Sequence, residues 1–161
     1  MQKERVADAF CAYGDRILRA AFHLTGSRSE AEDCTQEAFM RLLSQPDTME
    51  QGHIYPWLMR TVINLSKDYL RSIWFRKRVS MREIHNMTVS APMTAEEETA
   101  LYAVLQLPEK YRIPLYLHLV EGYSFAEISK ILRVNANTIS SRVRRARQKL
   151  QSQLRDDVDI L

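Results

Sequence analysis

Apolar residues recur at three- and four-residue spacing along most of the chain, the pattern of helices that bury one face. Val6, Ala9, Phe10 and Tyr13, then Ile17, Leu18, Ala21 and Phe22, make the first such stripe. Gly14 lies between its two halves and predicts a break into two helices. Gly26 and Ser27 end the stripe, with Ser27 or Ser29 placed to cap the next helix. That second helix is predicted over 30–44, with Ala31, Cys34, Ala38 and Leu42 on one side and Gln45-Pro46-Asp47 as its stop. A polar loop then reaches about Tyr55. Pro56 suits the first turn of a third helix, predicted from about Trp57 to Ile73 or beyond.

The helical period fades over 79–94, where Ser, Thr, Asn, Met and Pro92 accumulate. This stretch reads as a linker that could span about 50 Å when extended. Beyond it, helices are predicted over 95–106 with acids at the start, from Pro108 to near Gly122, over 124–132, and from Ala136 to about Leu154. No strand-like alternation and no internal repeat is visible. The predicted fold is all-α: two small helical domains, 1–78 and 95–155, joined by the linker 79–94 and followed by an acidic tail, 156–161.

Composition narrows the function. The 161 residues are 45% hydrophobic and 27% charged, a globular profile. No apolar run approaches the roughly 20 residues of a membrane span. The N-terminus enters a charged amphipathic pattern directly, which excludes a signal peptide and predicts a cytoplasmic protein. Cys11 and Cys34 form no CxxC pair and read as small buried hydrophobes. With four glycines in all, no phosphate-cradling loop is present. His23, His53, His85 and His118 are scattered without metal-ligand spacing, and His118, in an apolar helix, reads as structural. No metal, cofactor or small-molecule substrate is expected, and no catalytic constellation stands out, so the chain is not read as an enzyme.

The net charge of +3 is modest, but its distribution is not. Arg60, Lys67, Arg71, Arg76, Lys77 and Arg78 oppose a single acid, Asp68. Arg133, Arg142, Arg144, Arg145, Arg147 and Lys149 oppose none. Two basic blocks predict two contacts with a polyanion. In the second block, a short helix capped by Ser124 is followed by the turn Arg133-Val134-Asn135 and a helix that Asn135 can cap. Ile139, Val143, Ala146 and Leu150 face inward there. Ser140, Ser141, Arg144, Arg145 and Gln148 face outward. This is the plan of a helix-turn-helix, whose second helix enters the DNA major groove. In the first block Tyr55, Trp57, Tyr69, Trp74 and Phe75 interleave with cations, as single-stranded nucleic acid binding requires. The alternative for Trp57 and Tyr69 is a place in the core.

The stretch 24–39, Leu-Thr-Gly-Ser-Arg-Ser-Glu-Ala-Glu-Asp-Cys-Thr-Gln-Glu-Ala-Phe, resembles region 2 of bacterial sigma-70-family factors of the extracytoplasmic-function group. Trp57-Leu58-Met59-Arg60, Asn64 and Asp68-Tyr69-Leu70-Arg71 continue the match. Leu107-Pro108-Glu109-Lys110-Tyr111-Arg112 and the helix-turn-helix through Leu150 resemble region 4. The resemblance implies a subunit that binds core RNA polymerase and directs it to promoters. Region 2 would grip the clamp of the largest subunit through Asp33, Gln36 and Glu37. It would melt the −10 element with Trp57, Arg60, Asn64, Lys67 and Arg71, a flipped base resting between Asn64 and the loop 47–55. Region 4 would touch the β flap and read the −35 element. There Ser140, Ser141, Arg144 and Arg145 would meet base edges, and Thr138, Arg142 and Arg147 phosphates. An anti-sigma factor is a further implied partner. Position 140 is usually basic in this family and is Ser here. The competing reading, a free-standing dimeric regulator, needs a dimerisation helix or a ligand pocket, and the acidic and aromatic-basic helices of the first half suit neither.

Overall fold

The computed structural model describes residues 1–72 and 94–159, with side chains through 155. The chain divides into two compact units, Met1–Lys77 and Arg78–Leu161. Among the described residues every regular element is an α-helix.

In the first unit, α1 (Lys3–Thr25), α2 (Arg28–Leu43) and α3 (Gln51–Ser72) pack pairwise against one another. Their shared core contains Ile17, Phe22, Leu24, Leu42, Ile54, Leu58, Met59 and Ile63, all essentially without exposure. Gly26 takes the left-handed conformation at φ 71° and closes α1, its N–H donating to the Phe22 carbonyl. Ser27 then caps α2, its hydroxyl accepting from the Glu30 N–H at 3.4 Å. Gly14 does not break α1, contrary to expectation. It lies buried within one continuous helix. The roughly 1 kcal/mol that glycine costs a helix interior is small beside the burial of Ile17, Phe22 and Leu24 on the same helix, at about 1.5–3 kcal/mol each.

The second correction concerns α3. The helix starts at Gln51, not Trp57, so 51–55 are helical and the loop shortens to 44–50. Pro56 is its sixth residue. The missing proline N–H frees only the Gly52 carbonyl, and position 52 is exposed to water, so the interruption is tolerated.

The second unit holds α4 (Ala95–Leu105), α5 (Glu109–Leu119), α6 (Phe125–Leu132) and α7 (Ala136–Asp159). Thr94 and Glu97 form a reciprocal capping box at the start of α4. Arg112, buried in α5, donates to the Leu105 and Leu107 carbonyls at 3.1 and 3.3 Å and so closes the α4–α5 turn. The core joins Leu107, Leu117 and Ile128 to Ile139, Val143 and Ala146 of α7. The last helix runs through Asp159, beyond the expected end near Leu154, into the stretch read as an acidic tail. No glycine or proline follows Ala136 to stop it. The linker read over 79–94 and the aromatic-basic residues Trp74, Phe75, Arg76, Lys77 and Arg78 lie outside the described residues, apart from Thr94.

Candidate nucleic-acid interface

The helix-turn-helix is built by two local devices. Ser124 caps α6, its hydroxyl accepting from the Glu127 N–H at 3.1 Å. The eight-residue helix then ends on Arg133 at φ 55°, a left-handed conformation unusual for a non-glycine residue. The Arg133 and Val134 N–H groups both donate back to the Ser129 carbonyl. Asn135 starts α7: its Oδ1 accepts from the Asn137 N–H at 2.8 Å, as its position predicted.

Ile139, Val143 and Ala146 of α7 are buried, and Leu150 is half-buried. Thr138, Ser140, Arg144, Arg145 and Arg147 are exposed, and Ser141 and Arg142 half-exposed. None of these arginines forms an ion pair with a carboxylate among the described residues. The row expected to act together is nevertheless divided. Arg144 and Arg147 line a groove of about 340 Å³ with Ser140, Phe125 and His118. Arg145, 100° further round the helix, acts on Tyr111 of α5 instead. Desolvation pushes the Tyr111 phenol up. The neighbouring Arg145 and Lys110 cations outweigh it and hold the phenol below its ordinary value. Lys110 and Lys149 sit over the same ring, at 5.0 and 5.6 Å from its centre.

Distance along α7 separates the candidates further. Arg144 lies about 12 Å and Arg147 about 17 Å from Ala136 along the axis, against a major groove about 12 Å wide. Residues 137–141 occupy the first turns. Among them Asn137 is exposed, a residue that the pattern of cations does not single out. Its signal was position: recognition helices contact base edges with their N-terminal residues, and Asn can bond adenine at two atoms. His118 is satisfied locally, as expected. Its Nδ1 lies 2.8 Å from the Tyr123 carbonyl, which can only accept, so Nδ1 carries the proton, and its ring packs on Phe125 at 4.5 Å.

In the first unit, Trp57, Arg60, Asn64, Lys67 and Arg71 are spaced 3, 4, 3 and 4 along α3 and share one face. Arg60, Asn64 and Arg71 are exposed, and Trp57 and Lys67 half-buried. Trp57 and Tyr69 thus belong neither wholly to the core nor wholly to solvent. Tyr55 is drawn to α1, its ring 5.2 Å from that of Tyr13 and under the Arg16 guanidinium at 4.3 Å. The expected base-holding wall at 47–55 is therefore reduced to 47–50, because 51–55 continue α3.

On α2, Asp33, Gln36 and Glu37 are exposed on one face. The Arg41 Nε donates to Glu37 at 2.6 Å. Met40, 62% exposed, extends that face by one turn and carries no signal in the charge pattern. Cys34 is buried on the opposite side, whereas Cys11 is exposed, against expectation. Position 11 falls outside the 6-9-14-17 stripe that α1 buries. Among the described residues no group of His, Cys, Asp and Glu is arranged to hold a metal, and no helix is long and apolar enough to cross a membrane.

The Sigma-70 region 2 family model matches residues 10–76, and the Sigma-70, region 4 model matches residues 98–150. The ECF RNA polymerase sigma factor EcfG of Rhodopseudomonas palustris is 33% identical over 150 residues, covering 85% of this chain and 78% of the relative. SigW of Bacillus subtilis is 29% identical over 170 residues, covering 96% and 91%. SigE of Mycolicibacterium smegmatis is 31% identical over 153 residues, and the match spans 58% of that longer relative. Of solved structures, the sigma factor RpoE in complex with the anti-sigma factor NepR from Bartonella quintana shares the fold at a TM-score of 0.68 and 21% identity, covering 92% of this chain and 96% of that one. Two helical units carrying regions 2 and 4 in this order, with relatives matching across both, leave one assignment: the chain belongs to the extracytoplasmic-function group of the sigma-70 family of RNA polymerase sigma factors.

Proposed function

We propose that this sigma factor joins core RNA polymerase in the cytoplasm, directs it to promoters through two separate DNA contacts, and catalyses no step itself. The observation that carries the reading is the pair of cationic faces: α7 from Asn137 to Arg147, which holds no acid, and α3 from Trp57 to Arg71, whose one acid, Asp68, pairs with Arg71 at 3.7 Å. The first projects from a helix-turn-helix and suits duplex DNA. The second combines cations with a half-exposed indole and suits an opened strand.

Within that reading Asn137, Ser140 and Ser141 meet −35 base edges. Thr138, Arg142 and Arg147 meet phosphates. Arg144 stands at the far rim of the groove, and Arg145 borders it beside Tyr111. Trp57, Arg60, Asn64, Lys67 and Arg71 track the non-template strand of the −10 element, and a flipped base lies between this face and the loop 44–50. Asp33, Gln36, Glu37 and Met40 dock on the largest-subunit clamp, and the second unit on the β flap. An anti-sigma factor is a partner of the same surfaces. This last point is supported by the anti-sigma complex in which the RpoE fold relative was solved.

Reconstitution with core polymerase tests the proposal. Run-off transcription from a promoter library should depend on this chain. Glu37→Lys should abolish core binding in a pull-down with helicity intact, by reversing charge on the docking face. Unaltered affinity for Glu37→Lys would remove the α2 assignment, and absence of promoter-dependent transcription would remove the whole reading.

A further inference from the structure

The loop 44–50 is tied to the start of the chain by several hydrogen bonds, two of them from one side chain. Arg5, in the first turn of α1, sends Nη1 to the Asp47 carbonyl at 2.6 Å and Nη2 to the Met49 carbonyl. The Gln2 N–H adds a bond to the Asp47 carboxylate at 2.7 Å. Within the loop itself the Met49 N–H returns to the Pro46 carbonyl at 3.2 Å, and the Glu50 carbonyl accepts from His53 N–H at 3.0 Å, joining the loop to the first turn of α3. The two carbonyls that Arg5 holds flank Thr48. A planar guanidinium offers its donors in a fixed fork, so one side chain sets the spacing and direction of both peptide groups. Thr48 is left exposed at the apex, with Glu50 exposed beside it.

A seven-residue connection between two long helices needs no such tether to close, because the α2–α3 packing already brings its ends together. What the fork removes is the freedom of the apex. Holding a base in a wall demands that freedom be lost before binding, since ordering the loop on the strand would cost affinity. Nothing in the spacing of the motifs signals this contact. Arg5 lies in neither basic block and outside the residues matched to the region 2 model, which begin at 10.

We propose that Arg5 is a positioning residue for −10 recognition: it preorganises Asp47-Thr48-Met49 so that the Thr48 apex presents fixed hydrogen-bonding groups to the flipped base. This rests on the reading of the loop as part of the −10 site, and the test separates the two. The full chain, with Arg5, Arg5→Ala, Arg5→Lys or Thr48→Ala, is assembled with core polymerase and selected on promoters randomised across −10. Amide exchange over 45–50 is followed in the same proteins.

Arg5→Ala should speed exchange across 47–50 and relax preference at one −10 position by about tenfold, the worth of a charged hydrogen bond to a loop that binding must order. Thr48→Ala should relax the same position. Arg5→Lys, which keeps charge and a donor but loses the fork, should restore part of the preference. Core affinity and preference at −35 should not change, which a general folding defect would alter. If Thr48→Ala relaxes a −10 position while Arg5→Ala changes neither exchange nor preference, the positioning role is wrong and the loop reading stands. If Arg5→Ala frees the loop while neither variant alters any −10 preference, the loop does not read the base and both fall.

Discussion

Single residues set the local limits of this molecule. Gly14 is helical and buried, and a Cβ built there would meet the Phe10 ring at 3.6 Å, an ordinary contact. Gly14→Ala should therefore stabilise the first unit by about 0.5–1 kcal/mol, read as a raised urea midpoint with unchanged slope. A lowered midpoint would mean that Phe10 cannot accommodate the methyl. The two cysteines diverge as well. Burial pushes the Cys34 thiol up, the neighbouring Ser66 hydroxyl offsets part of that, and the charges of Glu30 and Asp33 raise it further, with a net rise above the ordinary 9.0. The folded chain thus holds this proton more tightly than the unfolded one. Its contribution to stability is complete below pH 9.0 and is lost as pH rises above it. Alkylation followed by mass spectrometry at pH 8 should label exposed Cys11 promptly and Cys34 only as the unit unfolds. Equal rates would contradict the burial of α2.

At the scale of the element, α7 is longer than the task of reading bases requires. Its 24 residues extend for about 36 Å, three times the width of the groove that its first turns would enter. Position along the axis should then sort its side chains. Asn137→Ala should cost about 1–3 kcal/mol at one −35 base pair, as loss of a bidentate contact does. Arg147→Ala should weaken all sequences alike and lower the salt slope by about one unit. A holoenzyme competition on a −35 library, repeated across salt concentrations, distinguishes the two. A sequence-specific loss for Arg147→Ala would place that helix deeper, or in another register.

Across the whole molecule, the two faces proposed to meet DNA belong to different compact units, so their contributions to initiation should separate. Asn64 lies on the exposed face of α3 and can donate and accept at once. Asn64→Ala should slow open-complex formation on duplex promoters far more than on templates premelted at −10. Ser141→Ala should instead weaken initial binding on both. Combined, the free-energy effects should add within about 0.5 kcal/mol, as for sites without shared partners. A larger coupling would show that melting and −35 reading act as a unit.

The helical period, the caps at Ser27, Ser124 and Asn135, and the acid-free run at 133–149 were all legible in the chain itself, because each depends on neighbours within a few positions. So was the family, through motifs in fixed order. What escaped depends on contacts between distant segments. Gly14 stays helical because α2 and α3 pack over α1, and α3 begins early because Ile54 is buried with them. Cys11 is exposed because α1 buries a stripe that misses it. Arg145 parts from Arg144 because Tyr111, 34 positions earlier, lies beside it. Arg5 meets the 44–50 loop across more than 40 residues of chain. Spacing along a sequence tells which side chains share a helix face, but only packing decides what lies opposite that face.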